Sequence, residues 1–413
     1  MKTRMRLFLA VVLAAGLTTG LFANGLNLNG NGSKANAMGG AFVGLANDFS
    51  AAYWNPAGLA QMTKASFSLF GADILPFGTY TREARAIDAK STFKHYLIPA
   101  LGYFQPIGDK LVVGIYLNAP SGAGAEWDGA DLTNITGIPD YDWKSKLGIF
   151  TISPSIAVKI TDQIMLGATL DVNYGMLAMA QPILWPLSPY STQYSEDLKG
   201  WAVGGTFGLL VKPVKQFSFG VTYKLPFTAK LKGDVTIPAA VGFGLPATDT
   251  GTRTATWPQW LAAGIAVKPT DKLTFTADVQ YTNWEKLQTI PVTFVNAGWQ
   301  AALAPGAAYE LLWKDTTQFR FGVEYMASKC LALRAGYYFD PNPGPIETQN
   351  ILLPEFKYNW ITAGFGYMSE KIAIDFSVEY GKGASITVPG EGDMPGVHGM
   401  TIVAPSLSFT YKF

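Results

Sequence analysis

The chain has 413 residues, of which 15% are charged and 13% aromatic, with 44 glycines, one cysteine and a formal net charge of +1. A charge near zero gives no case for nucleic acid as a partner, and Cys330 alone excludes an internal disulfide framework or a multi-cysteine metal site. Length suggests two or three soluble domains, but a chain so apolar and poor in charge, with no spanning apolar run past its N-terminus, must hide apolar surface by alternation.

Lys2, Arg4 and Arg6 precede an uncharged run from Leu7 to Leu17 and small residues ending at Ala23, the order of a secretory signal peptide. Residues 1–23 are therefore set aside from the fold. Leu21 fits the third position before the cut less well than alanine, so the cut lies within a residue or two of Ala23. Residues 24–64 do not alternate and are rich in glycine and alanine.

From residue 65 onward period-2 alternation dominates. Leu273, Phe275, Ala277, Val279 and Tyr281 interleave with Thr274, Thr276, Asp278 and Gln280; Ile372, Ile374, Phe376, Val378 and Tyr380 with Asp375, Ser377 and Glu379; and Leu407, Phe409, Tyr411 and Phe413 with Ser406, Ser408, Thr410 and Lys412. Short polar turns recur at 107–110, 161–163, 213–215, 269–272, 327–329 and 369–371. These six turns join twelve strands, and a strand near Ala65–Asp73 and a terminal one to Phe413 bring the count to fourteen.

Only helices and closed barrels satisfy their backbone in lipid, so the reading is an all-β, 14-stranded antiparallel transmembrane β-barrel over residues 65–413. Its place is the outer membrane of a Gram-negative cell. A secreted β-sandwich also alternates, but has no reason to place large aromatics outward at both strand ends. Gly- and Pro-rich segments at 119–147, 177–197, 237–257 and 388–400 read as long extracellular loops, and Pro99, Pro154, Pro258, Pro354 and Pro405 read as lying toward that side.

A segment tethered to the periplasmic end of strand one is well placed to fold inside the lumen, so residues 24–64 are expected to form an N-terminal hatch, or plug. A free periplasmic tail is the alternative, and would leave Tyr53 and Trp54 exposed. Within the segment Asn55, Pro56 and Ala57 read as a rigid turn near the barrel wall.

Lipid-facing Tyr281 and Phe413 fix the other parity as lumen-facing, which turns Lys224, Arg320, Arg334, Asp171, Asp278, Glu324, Asp375 and Glu379 inward. A carboxylate head group needs a cation at the end of an apolar sleeve. Arg334 is the first candidate, Arg320 the next, and Lys224 a further one; pairing of the arginines with Glu324, Asp375 or Asp340 is the alternative. His95 and His398 lie in no catalytic block, so no enzyme is expected, and no cofactor or metal. A diffusion porin would carry more charge; a surface adhesion or structural barrel stays open, because long loops serve both purposes.

Asn55-Pro56-Ala57 within Tyr53–Leu59, Trp257-Pro258-Gln259-Trp260, Tyr281-Thr282-Asn283-Trp284, Trp313-Lys314-Asp315 and Leu333-Arg334-Ala335-Gly336-Tyr337 carry a resemblance over essentially the whole exported chain. It resembles the FadL-type family of outer-membrane transporters for long-chain fatty acids, which includes relatives that admit toluene and xylene. The resemblance implies a monomeric fourteen-strand barrel closed by a hatch. It further implies capture of cargo in an apolar extracellular groove, passage to an internal pocket, and release sideways beside a kinked third strand. Leu26 corresponds to the apolar residue that the family places in its pocket. One departure is clear: where members often carry Pro-Asp followed by Arg and Trp, this chain has Pro354-Glu355-Phe356-Lys357-Tyr358-Asn359-Trp360, with its basic residue at Lys357.

The implied function is passive uptake of long-chain fatty acids or similar hydrophobic molecules, with aromatic hydrocarbons as the alternative cargo. Partners are the cargo, outer-membrane lipids and the barrel-insertion machinery. Phe413 is expected to be read by that machinery, so its deletion should lower surface levels of the barrel in a membrane-fraction assay, and unchanged levels would count against that role. Alternation over Leu111–Leu117 runs into Asn118-Ala119-Pro120-Ser121-Gly122. Pro120 removes a donor and Gly122 permits a bulge, so pairing is expected to fail there, with Gly114, Pro120 and Gly122 as lateral-gate candidates.

Overall fold

The computed structural model describes residues 25–28, 30–184, 191–303 and 307–413; the expected signal peptide, residues 1–23, lies outside them. Among the described residues fourteen antiparallel strands form a closed barrel. In chain order these are β1 Ser66–Arg82, β2 Tyr96–Ile107, β3 Leu111–Trp127, β4 Trp143–Lys159 and β5 Ile164–Leu184. They continue as β6 Ser191–Val214, β7 Phe217–Lys224, β8 Trp260–Thr270, β9 Leu273–Thr282 and β10 Thr316–Met326. The last are β11 Leu331–Asp340, β12 Tyr358–Met368, β13 Ile372–Gly383 and β14 Gly396–Lys412. β14 returns to β1, from Ser66↔Lys412 to Thr81↔Val397, which removes both edges.

Each short polar turn of the sequence joins two of these strands, from 108–110 between β2 and β3 to 369–371 between β12 and β13. Alternation sets the two faces. Leu407 and Phe409 are exposed where Ser406 and Ser408 are buried, and Phe275 and Val279 are exposed where Thr274, Thr276 and Asp278 are buried. A basic residue facing lipid at mid-depth costs roughly 2–4 kcal/mol, and the charges assigned to the lumen do face inward.

The long-loop assignments need correction. β3 continues to Trp127 and β4 starts at Trp143, so both ends of 119–147 are strand and the loop is confined to residues 128–142; β5 runs to Leu184, β6 starts at Ser191, and β14 starts at Gly396. Within 237–257, Thr248–Trp257 pairs with Phe227–Thr236 as an extra hairpin joined to the upper part of β6. Glycine and proline mark irregularity in most strands; here the strands outrun the bilayer, and their upper halves carry such residues without leaving the sheet. Pro154 is also displaced, lying five residues from Lys159 at the periplasmic end of β4, and Pro405 is central in β14. The β4–β5 ladder skips Ser153 and Pro154 and resumes in the same register, as a missing donor requires.

Among the described residues two large apolar cores stand out beside two smaller clusters. One joins Leu26 to Trp127, Trp143, Trp257, Trp284, Trp299 and Trp313 beneath the loops, and the other surrounds the N-terminal segment with Phe42, Trp54, Leu59, Phe104 and Tyr116. That segment folds as α1 Ser33–Ala37, α2 Ala51–Trp54 and a 3-10 turn at Pro56–Gln61. Its bonds reach far round the wall. Ser33 accepts from Ser406 of β14 at 2.9 Å, Gly39 N–H donates to Thr362 of β12 at 3.0 Å, and Val43 N–H donates to Asp278 of β9 at 2.8 Å. Ser218 and Thr222 of β7 donate to the carbonyls of Gly44 and Trp54 at 2.6 and 2.8 Å.

Candidate functional site

Asn55-Pro56-Ala57 sits directly on the wall. Asn55 caps the 3-10 turn by accepting from Ala57 N–H at 3.2 Å, while its amide donates to Val43 O at 2.9 Å and across to Leu209 O of β6 at 3.0 Å. Proline at the first position of the turn presets its dihedral. The wall admits this contact because inward positions there lack side chains. Gly167 pairs with Gly208 and Gly220 with Gly264, forming a shelf across β5–β8. A Cβ on Gly208 would lie 2.1 Å from the Asn55 side-chain oxygen, one on Gly167 2.2 Å from Pro56 backbone, and one on Gly220 2.0 Å from Val43 O.

On the opposite side the wall is interrupted. β2 and β3 pair from Ile107↔Leu111 up to Leu101↔Leu117 and then part, and β3 shifts register against β4 between Asn118 and Ser121. Pro120 therefore breaks a strand that continues, and does not begin a loop. The N-terminal segment takes up the released edge of β3: Leu28 N–H donates to Pro120 O and Gly122 N–H donates to Leu26 O, both at 3.0 Å, with Asn27 bridged to Ser121. Gly114 lies below the break, paired with Phe104 and Ser155, and its missing side chain makes room for the Phe104 ring.

Beside this break lies a cavity of about 470 Å³. Leu28, Ala72, Leu147, Ile149, Phe356 and Trp360 supply its apolar lining. It continues through the wall, since exposed Leu97 of β2 and Phe150 of β4 line it as well. Asp340, Glu355 and Glu379 are its carboxyl groups. Burial, with Asp340 adding to it, pushes the loop carboxyl of Glu355 well above the usual range.

The cations named from the sequence lie elsewhere. Arg334 donates to Glu324 at 2.8 Å and Asp375 at 2.6 Å with no exposed side-chain surface, and Lys34 of α1 reaches Glu324 at 3.5 Å. Arg320 donates to Gly39 O at 3.2 Å and to Gln318 at 2.9 Å, with its guanidinium 4.7 Å from the Tyr338 ring. Arg334 thus pairs with Glu324 and Asp375 between wall strands, as the pairing alternative has it, while Arg320 ties the wall to the N-terminal segment. Lys224 sits over Tyr53 at 4.0 Å and Trp260 at 5.0 Å, and lines a separate polar pocket of about 30 Å³ with Asn27, Asn118, Ser121 and Asp171. That space suits a water or two rather than an alkyl chain. Leu26 packs into the upper core, and the neighbouring Leu28 is the residue that lines the cavity.

Removing Arg334 leaves Glu324 and Asp375 buried without their shared partner. Arg334→Ala is expected to destabilise the barrel by about 3–5 kcal/mol, read as a lower melting temperature in detergent, with cargo affinity unchanged where the protein is folded. An unchanged melting temperature with weakened binding would return Arg334 to the head-group role.

The profile of the family described as outer membrane protein transport protein (OMPP1/FadL/TodX) matches residues 12–410. The chain belongs to that family. It is 24% identical over 419 residues to the long-chain fatty acid transport protein of Salmonella typhi, covering 92% of each chain. It is 22% identical over 406 residues to outer membrane protein P1 of Haemophilus influenzae, covering 86% and 85% of the two. A Pseudomonas aeruginosa FadL homologue superimposes with a TM-score of 0.77 at 18% identity, covering 94% of this chain and all of the other. The P. putida toluene transporter TodX does so with a TM-score of 0.75 at 18% identity, covering 94% and 99%. As a member of this OMPP1/FadL/TodX family the chain is an outer-membrane β-barrel. Two of the blocks that carry the resemblance, Tyr281–Trp284 and Trp313–Asp315, meet: Asp315 accepts from Asn283 at 2.7 Å and from Glu285 N–H at 3.0 Å, and Trp284 meets Trp313 edge-on at 4.9 Å.

Proposed function

We propose that this barrel carries hydrophobic small molecules across the outer membrane by passive diffusion and releases them sideways beside β3. One observation carries the reading: the cavity lined by half-buried Leu28 and buried Trp360 continues to the lipid-facing side chains Leu97 and Phe150 where β2 and β3 part. An alkyl chain loses about 0.8 kcal/mol of burial per methylene on entering water, so bilayer beside the wall is a better destination than the periplasm. The N-terminal segment, bonded to wall strands around the lumen, acts as the hatch that bars an aqueous route. The family's members named above include fatty-acid and toluene transporters, and this chain takes cargo of that apolar kind. The protein works as a monomer in contact with outer-membrane lipid, performs no chemistry on its cargo, and reaches the membrane through the barrel-insertion machinery, with outward Phe413 as the signal.

Uptake in cells lacking their own carrier tests this. Expression of the chain is expected to raise entry of labelled oleate, a long-chain ketone or toluene without raising entry of a small sugar. Sugar entry matching hydrocarbon entry would make it a diffusion porin, and no gain for any solute would leave an adhesion or structural role.

A further inference from the structure

The periplasmic mouth of the barrel carries cations that no carboxyl group answers. Lys159, Lys212 and Lys268 stand at the lower ends of β4, β6 and β8, each two residues beyond Ala157, Leu210 or Ala266. Those three are buried in the core around the N-terminal segment. Side chains two apart share a face, so the half-buried lysines point into the mouth and not to lipid. Lys212 fixes the direction, since its ammonium donates to the Gln61 side chain of the 3-10 turn at 2.6 Å.

What surrounds them is mostly like charge. Lys212 feels the charges of Lys268 and Lys159, and Lys268 feels that of Lys34. Glu324, the carboxylate that acts on Lys268, is already shared by Lys34 at 3.5 Å and Arg334 at 2.8 Å. Asp109, Asp162 and Asp271 lie exposed in neighbouring turns, and among the described residues none forms an ion pair with the three lysines. The same sign continues around the mouth, where five of the six short turns carry a lysine. Cations gathered without anions raise the local concentration of a negatively charged partner and steer its approach. Neighbouring strands are roughly 5 Å apart, so the arc from β4 to β8 runs about 20 Å, the length of about six residues of an extended chain.

We infer that the periplasmic mouth is a docking surface for an acidic polypeptide segment, a tail or loop of a periplasmic partner protein, held by Lys159, Lys212 and Lys268. This goes beyond transport and assigns a partner to the face away from the loops. Phosphates of inner-leaflet lipid are the other anions at this level. They meet lysines of the turns, such as Lys215 and Lys329, whereas the wall stands between lipid and the three inward lysines. Gln61, which Lys212 holds, donates to Leu45 O and Ala46 O at 3.2 and 3.0 Å, so a docked segment lies against the base of the N-terminal segment.

Fluorescence anisotropy of a fluorescein-labelled octaglutamate peptide tests this on the purified full chain in phosphatidylcholine nanodiscs, with empty nanodiscs as blank. The peptide is expected to bind at low ionic strength and to weaken about tenfold as salt rises from about 50 to about 300 mM. Combined Lys159→Gln, Lys212→Gln and Lys268→Gln is expected to weaken it about tenfold, and the corresponding three Lys→Arg changes to keep it within about twofold. Combined Lys215→Gln, Lys272→Gln and Lys329→Gln removes as much charge from the turns and is expected to cost less than about threefold. Acetylation of the native chain with sulfo-NHS acetate, read by mass spectrometry, needs no variant: bound peptide is expected to protect the three inward lysines and not those of the turns. No binding, an equal loss from the turn variant, or no protection of the inward lysines overturns the inference. Protection of the same three lysines by phosphatidylglycerol in the nanodisc, with no peptide present, also overturns it and gives the mouth to lipid headgroups.

Discussion

Stapling β2 to β3 just above their last paired residues is expected to cut hydrophobic uptake by about tenfold or more, because a barred exit then limits the rate. Ala100→Cys and Asn118→Cys, in a Cys330→Ser background, are the positions immediately past Leu101↔Leu117. A reducible thiol cross-linker joins them on intact cells, and reduction is expected to restore entry. The effect is large because nothing else in the described wall offers such a break: β2 is bonded to β1 up to Ile74↔Tyr96, and β3 to β4 on both sides of its register shift. Full-rate entry through the stapled wall would show that cargo leaves by another way.

A single methyl-bearing side chain on the glycine shelf is expected to dislodge the hatch. Gly208→Val would put its Cβ 2.1 Å from the Asn55 oxygen and 2.9 Å from Ala57 N, contacts no side chain can keep. Overpacking in a core that can adjust costs about 1–3 kcal/mol; here the obstacle is a capped turn bonded both to the wall at Leu209 and to the segment's own backbone at Val43, so the cost exceeds that range. The barrel itself closes through β1 and β14, far from the shelf, and should still insert. Entry of a large hydrophilic antibiotic is then expected to rise by an order of magnitude, and protease added to the periplasmic side should cut within residues 30–61. An antibiotic-tight, protease-resistant variant would show that the segment does not depend on this seat.

Much of this was legible because alternation and tight turns are local. β9, β13 and β14 could be read residue by residue, and with them which charges face inward. The turn at Ser328 and Lys329 also sets Glu324 opposite Arg334, so that pairing could have been taken from the hairpin register alone. Asp340, Glu355 and Glu379 could not be grouped that way, since their meeting depends on a loop folding back over the lumen. Nor could Leu28 be told from Leu26: only the bonds from Gly122 and Pro120 to the N-terminal segment decide which leucine reaches the cavity.

β3 itself is written in two reading frames. Below the shift its even-numbered residues face inward, with Val112, Tyr116 and Asn118 buried; above it the odd-numbered ones do, with Ser121, Ala125 and Trp127 buried. One extra residue at the bulge makes the change, since a single-residue slip exchanges the two faces of a strand. Removing Pro120 would delete that extra residue, so the strand straightens into one register while each residue above it moves down one position, and Trp127 stays opposite Trp143 and keeps its inward face. A β3 shortened by one residue at this point is therefore a variant that removes the bulge while every side chain above keeps its side, whereas a deletion of one residue anywhere clear of the bulge exchanges the faces of the stretch between the two.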